Sequence, residues 1–318
     1  MKKGITFGLV FLFLMMSFTS ISGNQIDKNI VIPSDRGDIL YVGGSGEGNY
    51  STIQSAINDA NSGDTVFVFD DSSPYYEHIV IQKTLNLIGE GRDSTVIDGM
   101  GVGSNNAVTI NANNVKLTGF TIQNSSKANT YGIRIIGGNE NIITGNIITQ
   151  NYHGIVVWPE DESESNGNII SDNIIFNNSV YLGTGISILK SYDNLVTHNT
   201  IRNNIFGIDL SRPGSNIITL NDITNNSRNI YLWASSDNEI SKNNLNSHVK
   251  NVNSIYSYRT KYNSNYWGES RIIPKIFLGK GRLYLFSYQR TPREWEDVYL
   301  PFPTIHVDWN PAQEPYDI

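Results

Sequence analysis

The sequence predicts an all-β fold built as a single-stranded parallel β-helix, and three observations carry that expectation. The first is a set of asparagine groups with one internal spacing: Asn114-Gly119-Asn124, Asn141-Asn146-Asn151, Asn168-Asn173-Asn178, Asn194-Asn199-Asn204, Asn216-Asn221-Asn226 and Asn238-Asn243-His248. Members of a group stand five residues apart, and the groups recur after 27, 27, 26, 22 and 22 residues. Self-similarity at a period in the twenties marks a stacked-repeat architecture. The second is apolar register. Ile143, Ile170, Val196, Ile218 and Ile240 follow the first asparagine of their groups, and Ile148, Ile175, Ile201, Ile223 and Leu245 follow the second. The third is a short segment later in each repeat, such as Gly132–Ile135, Gly154–Val157, Gly185–Ile188, Gly207–Leu210 and Asn229–Leu232, whose apolar positions alternate as on a strand with one buried face. No segment within the repeats is periodic enough for a crossover helix.

The elements then follow in chain order. Residues 1–23 read as a secretion signal, or else as an uncleaved N-terminal anchor: Lys2 and Lys3, an apolar run from Ile5 to Phe18 that is short for a membrane span, and a small-x-small site at Ser20-Ile21-Ser22. Residues 24–48 are a lead-in, and the stack proper is expected over 49–268. Tyr50–Ala60 reads as an amphipathic capping helix, with Ile53, Ala56, Ile57 and Ala60 on one face and Ser51 as its N-cap. Strands are expected at Thr65–Phe69, Ile79–Ile81, Leu85–Ile88, Thr95–Ile97 and Val108–Ile110. The asparagines turn the corners, because Asn tolerates left-handed backbone, and their stacked amides bond from coil to coil as a ladder. Residues 269–318, rich in aromatics and proline, read as a C-terminal cap over the open end of the stack, or as a tail that docks a protein partner.

These coils, typified by Asn194-Leu195-Val196-Thr197-His198-Asn199-Thr200-Ile201, together with the entry helix before Gly63-Asp64-Thr65-Val66 and the closing Asn265-Tyr266-Trp267-Gly268, resemble the right-handed parallel β-helix proteins of the pectin-lyase-like class, and within it the NosD-like periplasmic family. The resemblance covers roughly residues 40–268. It implies a right-handed coil, export, and either polysaccharide chemistry or a role as accessory to a copper enzyme.

Composition narrows the function classes. The chain has no cysteine and a net charge of −7, with no basic face to attract nucleic acid. No apolar stretch after the signal is long enough to cross a membrane, so a secreted protein, extracellular, periplasmic or on the cell surface, is expected. Asn-x-Ser sequons stand at Asn49, Asn124, Asn177 and Asn225.

A site must use residues that the stack does not need. Insertions at Ser125–Tyr131 and Ser179–Thr184 flank a shorter coil, and Tyr131, Tyr152, His153, Tyr181 and Phe206 gather along the resulting notch. Aromatic faces of this kind hold polysaccharide, although rings also cover an apolar edge. For an enzyme of this fold, a polysaccharide lyase or glycoside hydrolase, the residues to draw on are Asp172 and His198, at equivalent positions of adjacent coils, and Asp209 on the regular strand. Glu160, Asp161, Glu162 and Glu164 form an acidic run that offers oxygen ligands to calcium, or else a solvated charged loop. His78, His153, His198, His248 and His306 are scattered, and Met100 is the only methionine beyond the signal, so the residues argue against a copper cofactor. The reading is an exported scaffold that binds carbohydrate without cleaving it, with the lyase or hydrolase and the copper-enzyme accessory as alternatives.

Overall fold

Alternating isoleucines build short strands, and asparagine corners wind them into coils. A computed structural model of the chain describes residues 37–100, 105–160, 163, 165–178, 183–212, 214–247, 249–269, 274–291 and 294–318. The predicted signal and most of the lead-in therefore lie outside the described residues.

The strands stack as three parallel faces of a right-handed helix. The first face begins with Ile39–Val42, Thr65–Val68, Asn86–Gly89 and Lys116–Thr118 and ends with Lys261–Asn263. Its lowest rung lies in the segment expected to be lead-in. The second face runs from Val96–Asp98 to Asn244–Asn246. The third comprises Ile79–Ile81, Val108–Ile110, Tyr131–Ile135, His153–Val157, Thr184–Leu189, Phe206–Ser211, Arg228–Trp233 and Lys250–Ile255. The first and second faces each send one column of apolar, mostly β-branched residues inward, and the third sends two. Ile170, Ile175 and Ile186 of one coil are all 0% exposed, as are Ile218, Ile223 and Ile230 two coils later. Each such side chain contributes about 1.5–3 kcal/mol of burial.

The asparagine ladders run from Asn141 onward; the first group is out of register by one residue, with Asn114, Gly119 and Asn124 at the corners and Val115, Phe120 and Ser125 at the ladder positions, where their N–H groups donate to Asn141, Asn146 and Asn151 Oδ1. A second correction concerns how the ladders work. Asn199 is representative. Its Oδ1 accepts from the backbone N–H of Asn173 at 3.0 Å and from Asn173 Nδ2 at 3.1 Å, while its own Nδ2 donates to the carbonyls of Ile170 and Thr197 at 2.8 and 2.9 Å. The left-handed conformation, expected at the ladder asparagines, falls mostly on the residue before each one. Asp172, His198, Leu220 and Lys242 have φ of 57°, 55°, 55° and 55°. The corner residue is free to vary because the ladder, not its own side chain, holds it there. The ladder asparagine is fixed by its need for both a donor and an acceptor in a buried site.

The ends are closed differently. At the N-terminal end, the helix Ile53–Asp59 buries Ile53, Ala56 and Ile57. Thr52, rather than Ser51, is its N-cap: Ser55 N donates to Thr52 Oγ1 at 3.2 Å, and the Glu77 carboxylate accepts from Ile53 N and Gln54 N at 2.8 and 2.9 Å. At the other end a long antiparallel hairpin, Lys275–Thr291 with Glu294–Asp308, joins the last coil at Ile255↔Lys280 and Tyr262↔Asp308. No described helix is long and apolar enough to cross a membrane.

Candidate functional site

The third face carries the side chains that packing leaves over. On each coil from Gly132 to Gly207 it opens with a glycine. A Cβ added to Gly185 would lie 2.7 Å from the Gly207 carbonyl oxygen and 2.8 Å from Ile201, so only glycine lets the coils approach here. Beyond it one outward column reads Arg134, Val156, Ser187, Asp209 and Tyr231 in register. The residues before the glycines give a second column, in which Tyr131 pairs with His153 and Thr184 with Phe206 and then Arg228. From Arg134 to Tyr231 is four coils, about 19 Å at about 4.8 Å per coil.

Two clusters form on this face. In the lower one, the Arg134 guanidinium lies 5.5 Å from the Tyr131 ring and 5.6 Å from that of Trp158, and pairs with Glu160 at 2.5 Å. Tyr131 stacks on His153 at 5.5 Å, and Tyr152 meets His153 edge-on at 4.7 Å. Burial pushes the His153 imidazole down to about 4. Thr184 N donates to its Nδ1 at 3.2 Å, which places the proton of the neutral ring on Nε2. In the upper cluster Phe206 lies 5.2 Å from Tyr231, with Arg228 over the Phe206 ring at 5.3 Å and Arg212 over Trp233 at 4.7 Å. Asp209 stands in the same cluster, accepting from Ser211 Oγ at 2.7 Å; burial raises its carboxyl to about 6 despite that bond. The Tyr231 phenol is raised by burial and, secondarily, by the charge of Asp209.

Of the expected binding residues, Tyr131, Tyr152, His153 and Phe206 share this face, and Tyr181 lies outside the described residues. Of the expected catalytic residues, Asp209 lies here too, but Asp172 and His198 sit at the corner between the first and second faces. No hydrogen bond joins that pair: His198 Nδ1 lies 2.9 Å from Thr197 Oγ1, and Thr144 Oγ1 donates to Asp172 at 3.4 Å. In the acidic run Glu160 is held by Arg134, and Asp161, Glu162 and Glu164 lie outside the described residues. Sequence reasoning missed Trp158, Trp233 and Arg228. Counting two residues past the outward column would have found the tryptophans, and counting three before it Arg228.

The family described as periplasmic copper-binding protein (NosD) matches residues 57–281. Among solved structures, the chain is similar in fold to a pectate lyase (14% identity, covering 72% of this chain and 76% of that one, TM-score 0.52). It is likewise similar to the polygalacturonase from Erwinia carotovora ssp. carotovora (14% identity, 76% and 80% covered, TM-score 0.50). A periplasmic alginate epimerase is 17% identical over 64% of this chain, with a TM-score of 0.42, and the chain spans 57% of that protein's length. The likenesses to the pectate lyase and the polygalacturonase show the fold alone. No curated protein matches the chain.

Among the described residues, which leave out His248, the side chains do not fit the copper in the family's description. His78 Nδ1 bonds Asn106 O at 2.7 Å, His153 and His198 lie on different parts of the coil, and His306 Nε2 lies 3.1 Å from Thr304 Oγ1 in the terminal hairpin. Among the described residues no three His, Cys, Asp or Glu side chains come together as a metal site, and copper centres draw on grouped imidazole or sulfur ligands. By its coils and its match over more than half of its length, the chain nonetheless belongs to the NosD family of periplasmic β-helix proteins.

Proposed function

We propose that this exported β-helix protein binds a polysaccharide along its third face and does so without cleaving it. The observation that carries the reading is the pairing of two aromatic clusters, Tyr131–Tyr152–His153–Trp158 and Phe206–Tyr231–Trp233, on either side of the coil that carries Ser187, with the Asp209 carboxyl within the upper cluster. Ring faces stack on the apolar faces of sugars, and fixed polar groups between them orient hydroxyls. Regular coils hold both in place, so little ordering entropy opposes binding.

The test is retention of the protein on a panel of immobilised acidic and neutral polysaccharides. Pectate and alginate belong on the panel because proteins of similar fold are named for them. Tyr152→Ala and Trp233→Ala are each expected to weaken retention at least about tenfold while leaving the thermal midpoint unchanged. Equal retention of parent and variants would remove the reading.

Asp209 favours one second reading. A carboxyl raised to about 6 suits a general acid. Among the described residues no second carboxylate faces it, since Glu160 is taken up by Arg134, and glycoside hydrolysis normally uses two. New chain ends in the polysaccharide, lost in Asp209→Asn, would establish the enzyme over the binder.

A further inference from the structure

The fold treats the four Asn-x-Ser sequons in two ways. At Asn49 and Asn124 the side-chain amide is already used. Asn49 Nδ2 donates to the Gly43 carbonyl at 2.6 Å. Asn124 Nδ2 donates to Asp98 Oδ2 at 2.7 Å, an oxygen that also takes Gln123 Nε2 at 2.9 Å, and Asp98 is 4% exposed. Asn177 and Asn225 stand at the corner that Asn124 occupies in its own coil, but their amides are not spent. Both are exposed, with φ of 56° and 55°, and each stands immediately before a buried ladder asparagine, Asn178 at 0% and Asn226 at 2% exposure. They occupy the same outer corner two coils apart, with Asn203 at the equivalent place between them, so their side chains emerge about 10 Å from one another. Among the described residues neither amide has a hydrogen-bond partner within the fold.

We propose that Asn177 and Asn225 are N-glycosylation sites, filled when the chain is exported through a compartment with an oligosaccharyltransferase. The donor class is a lipid diphosphate-linked oligosaccharide. The asparagine Nδ2 attacks the anomeric carbon, an N–C bond forms, and the C–O bond to the diphosphate breaks. The lipid diphosphate leaves with the bonding pair, and one amide proton passes to a base of the transferase. The serine that completes each sequon lies two residues on, at Ser179 and Ser227. Transfer takes place on the extended chain before the coils close, because Asn178 and Asn226 become buried on folding. Secretion then selects among the glycosylated chains: a glycan at either corner projects into solvent, whereas one at Asn124 must fit against a buried carboxylate and one at Asn49 against the Gly43 carbonyl, so chains that carry those fold and are secreted poorly. This inference is independent of what the third face binds.

The experiment is secretion of the full chain from a host that has the transferase, followed by amidase release of glycans and peptide mapping of the resulting Asn→Asp conversions. Conversion at 177 and 225, with none at 49 and 124, is the expected result. Asn177→Gln and Asn225→Gln should each remove one step of electrophoretic mobility and leave secretion yield unchanged. Glutamine is tolerated at this corner, since Gln150 occupies the same position of another coil with φ of 57°. Absence of conversion at both 177 and 225, or conversion confined to 49 and 124, overturns the assignment.

Discussion

Two groups on the third face, one in each cluster, titrate in opposite senses. Asp209 is raised from 3.8 to about 6, so the folded chain keeps a proton that the unfolded chain has released; its contribution is full below pH 3.8 and is lost as pH rises to about 6. His153 is lowered from 6.5 to about 4, so its contribution is full above pH 6.5 and is lost as pH falls to about 4. Each is worth on the order of 1–3 kcal/mol after solvent screening. The windows overlap, and in the parent the two largely cancel. Asp209→Asn should therefore leave a urea midpoint that climbs between pH 4 and 6.5, and His153→Gln one that falls over pH 3.8 to 6. Identical profiles for parent and both variants would show that neither group is perturbed.

Asp308 is the other decisive single residue. It receives the end of the second asparagine column, accepting from Ser264 N, Asn265 N, Asn265 Nδ2, Trp267 Nε1 and Asn310 N at 3.0–3.2 Å, and is fully buried. A ladder that delivers only donors must end on an acceptor-only group, which is why a carboxylate replaces the next asparagine. Asp308→Ala should cost at least about 3 kcal/mol in equilibrium unfolding, with Asp308→Asn in between. A loss below about 1 kcal/mol for Ala would refute that role.

At the scale of the element, the third-face strand is set by its opening glycine. Gly185→Ala brings a methyl group against the Gly207 carbonyl and the Ile201 side chain. The coils must separate, at about 2 kcal/mol, whereas Ser187→Ala two residues later should stay within about 0.5 kcal/mol. Comparable midpoints for the two variants would mean that the close approach is not needed. Here the sequence was legible in kind but not in detail. The strand and its outward residues follow from period-two alternation. The reason for the glycine does not, because the atom it avoids belongs to the next coil. The N-cap was misplaced by one residue for a similar reason: Ser51 and Thr52 are equivalent in sequence, and only the position of Glu77 over the first turn fixes where the helix begins.

Across the whole molecule, each coil touches only its neighbours, so stability accumulates by nearest-neighbour terms. Removing one complete coil, residues 194–215, should leave a chain that keeps its β-sheet circular dichroism and melts cooperatively at a lower temperature. The same deletion takes away Phe206 and Asp209, so retention on polysaccharide should drop although the fold persists. Collapse of the β signal would show that the coils do not behave as units. The pairing of Asn194, Asn199 and Asn204 with equivalent residues on both sides makes the repair possible, since Asn168, Asn173 and Asn178 would meet Asn216, Asn221 and Asn226 instead.

The sequence by itself determined the parallel coil, its inward columns and its asparagine ladders, because each rests on short-range periodicity and on a side chain able both to donate and to accept. It also placed Tyr131, Tyr152, His153, Phe206 and Asp209 among the residues left for a site. Only the tertiary structure decided that Asp209 joins the aromatic face while Asp172 and His198 stand at a corner, and that Trp158, Trp233 and Arg228 complete the clusters. It likewise decided which sequon amides are spent within the fold and that Asp308 closes the ladder. These outcomes depend on which residues of different coils, 22 to 43 positions apart, come to stack. Coil lengths set that register, and they vary with insertions whose path the local pattern does not encode.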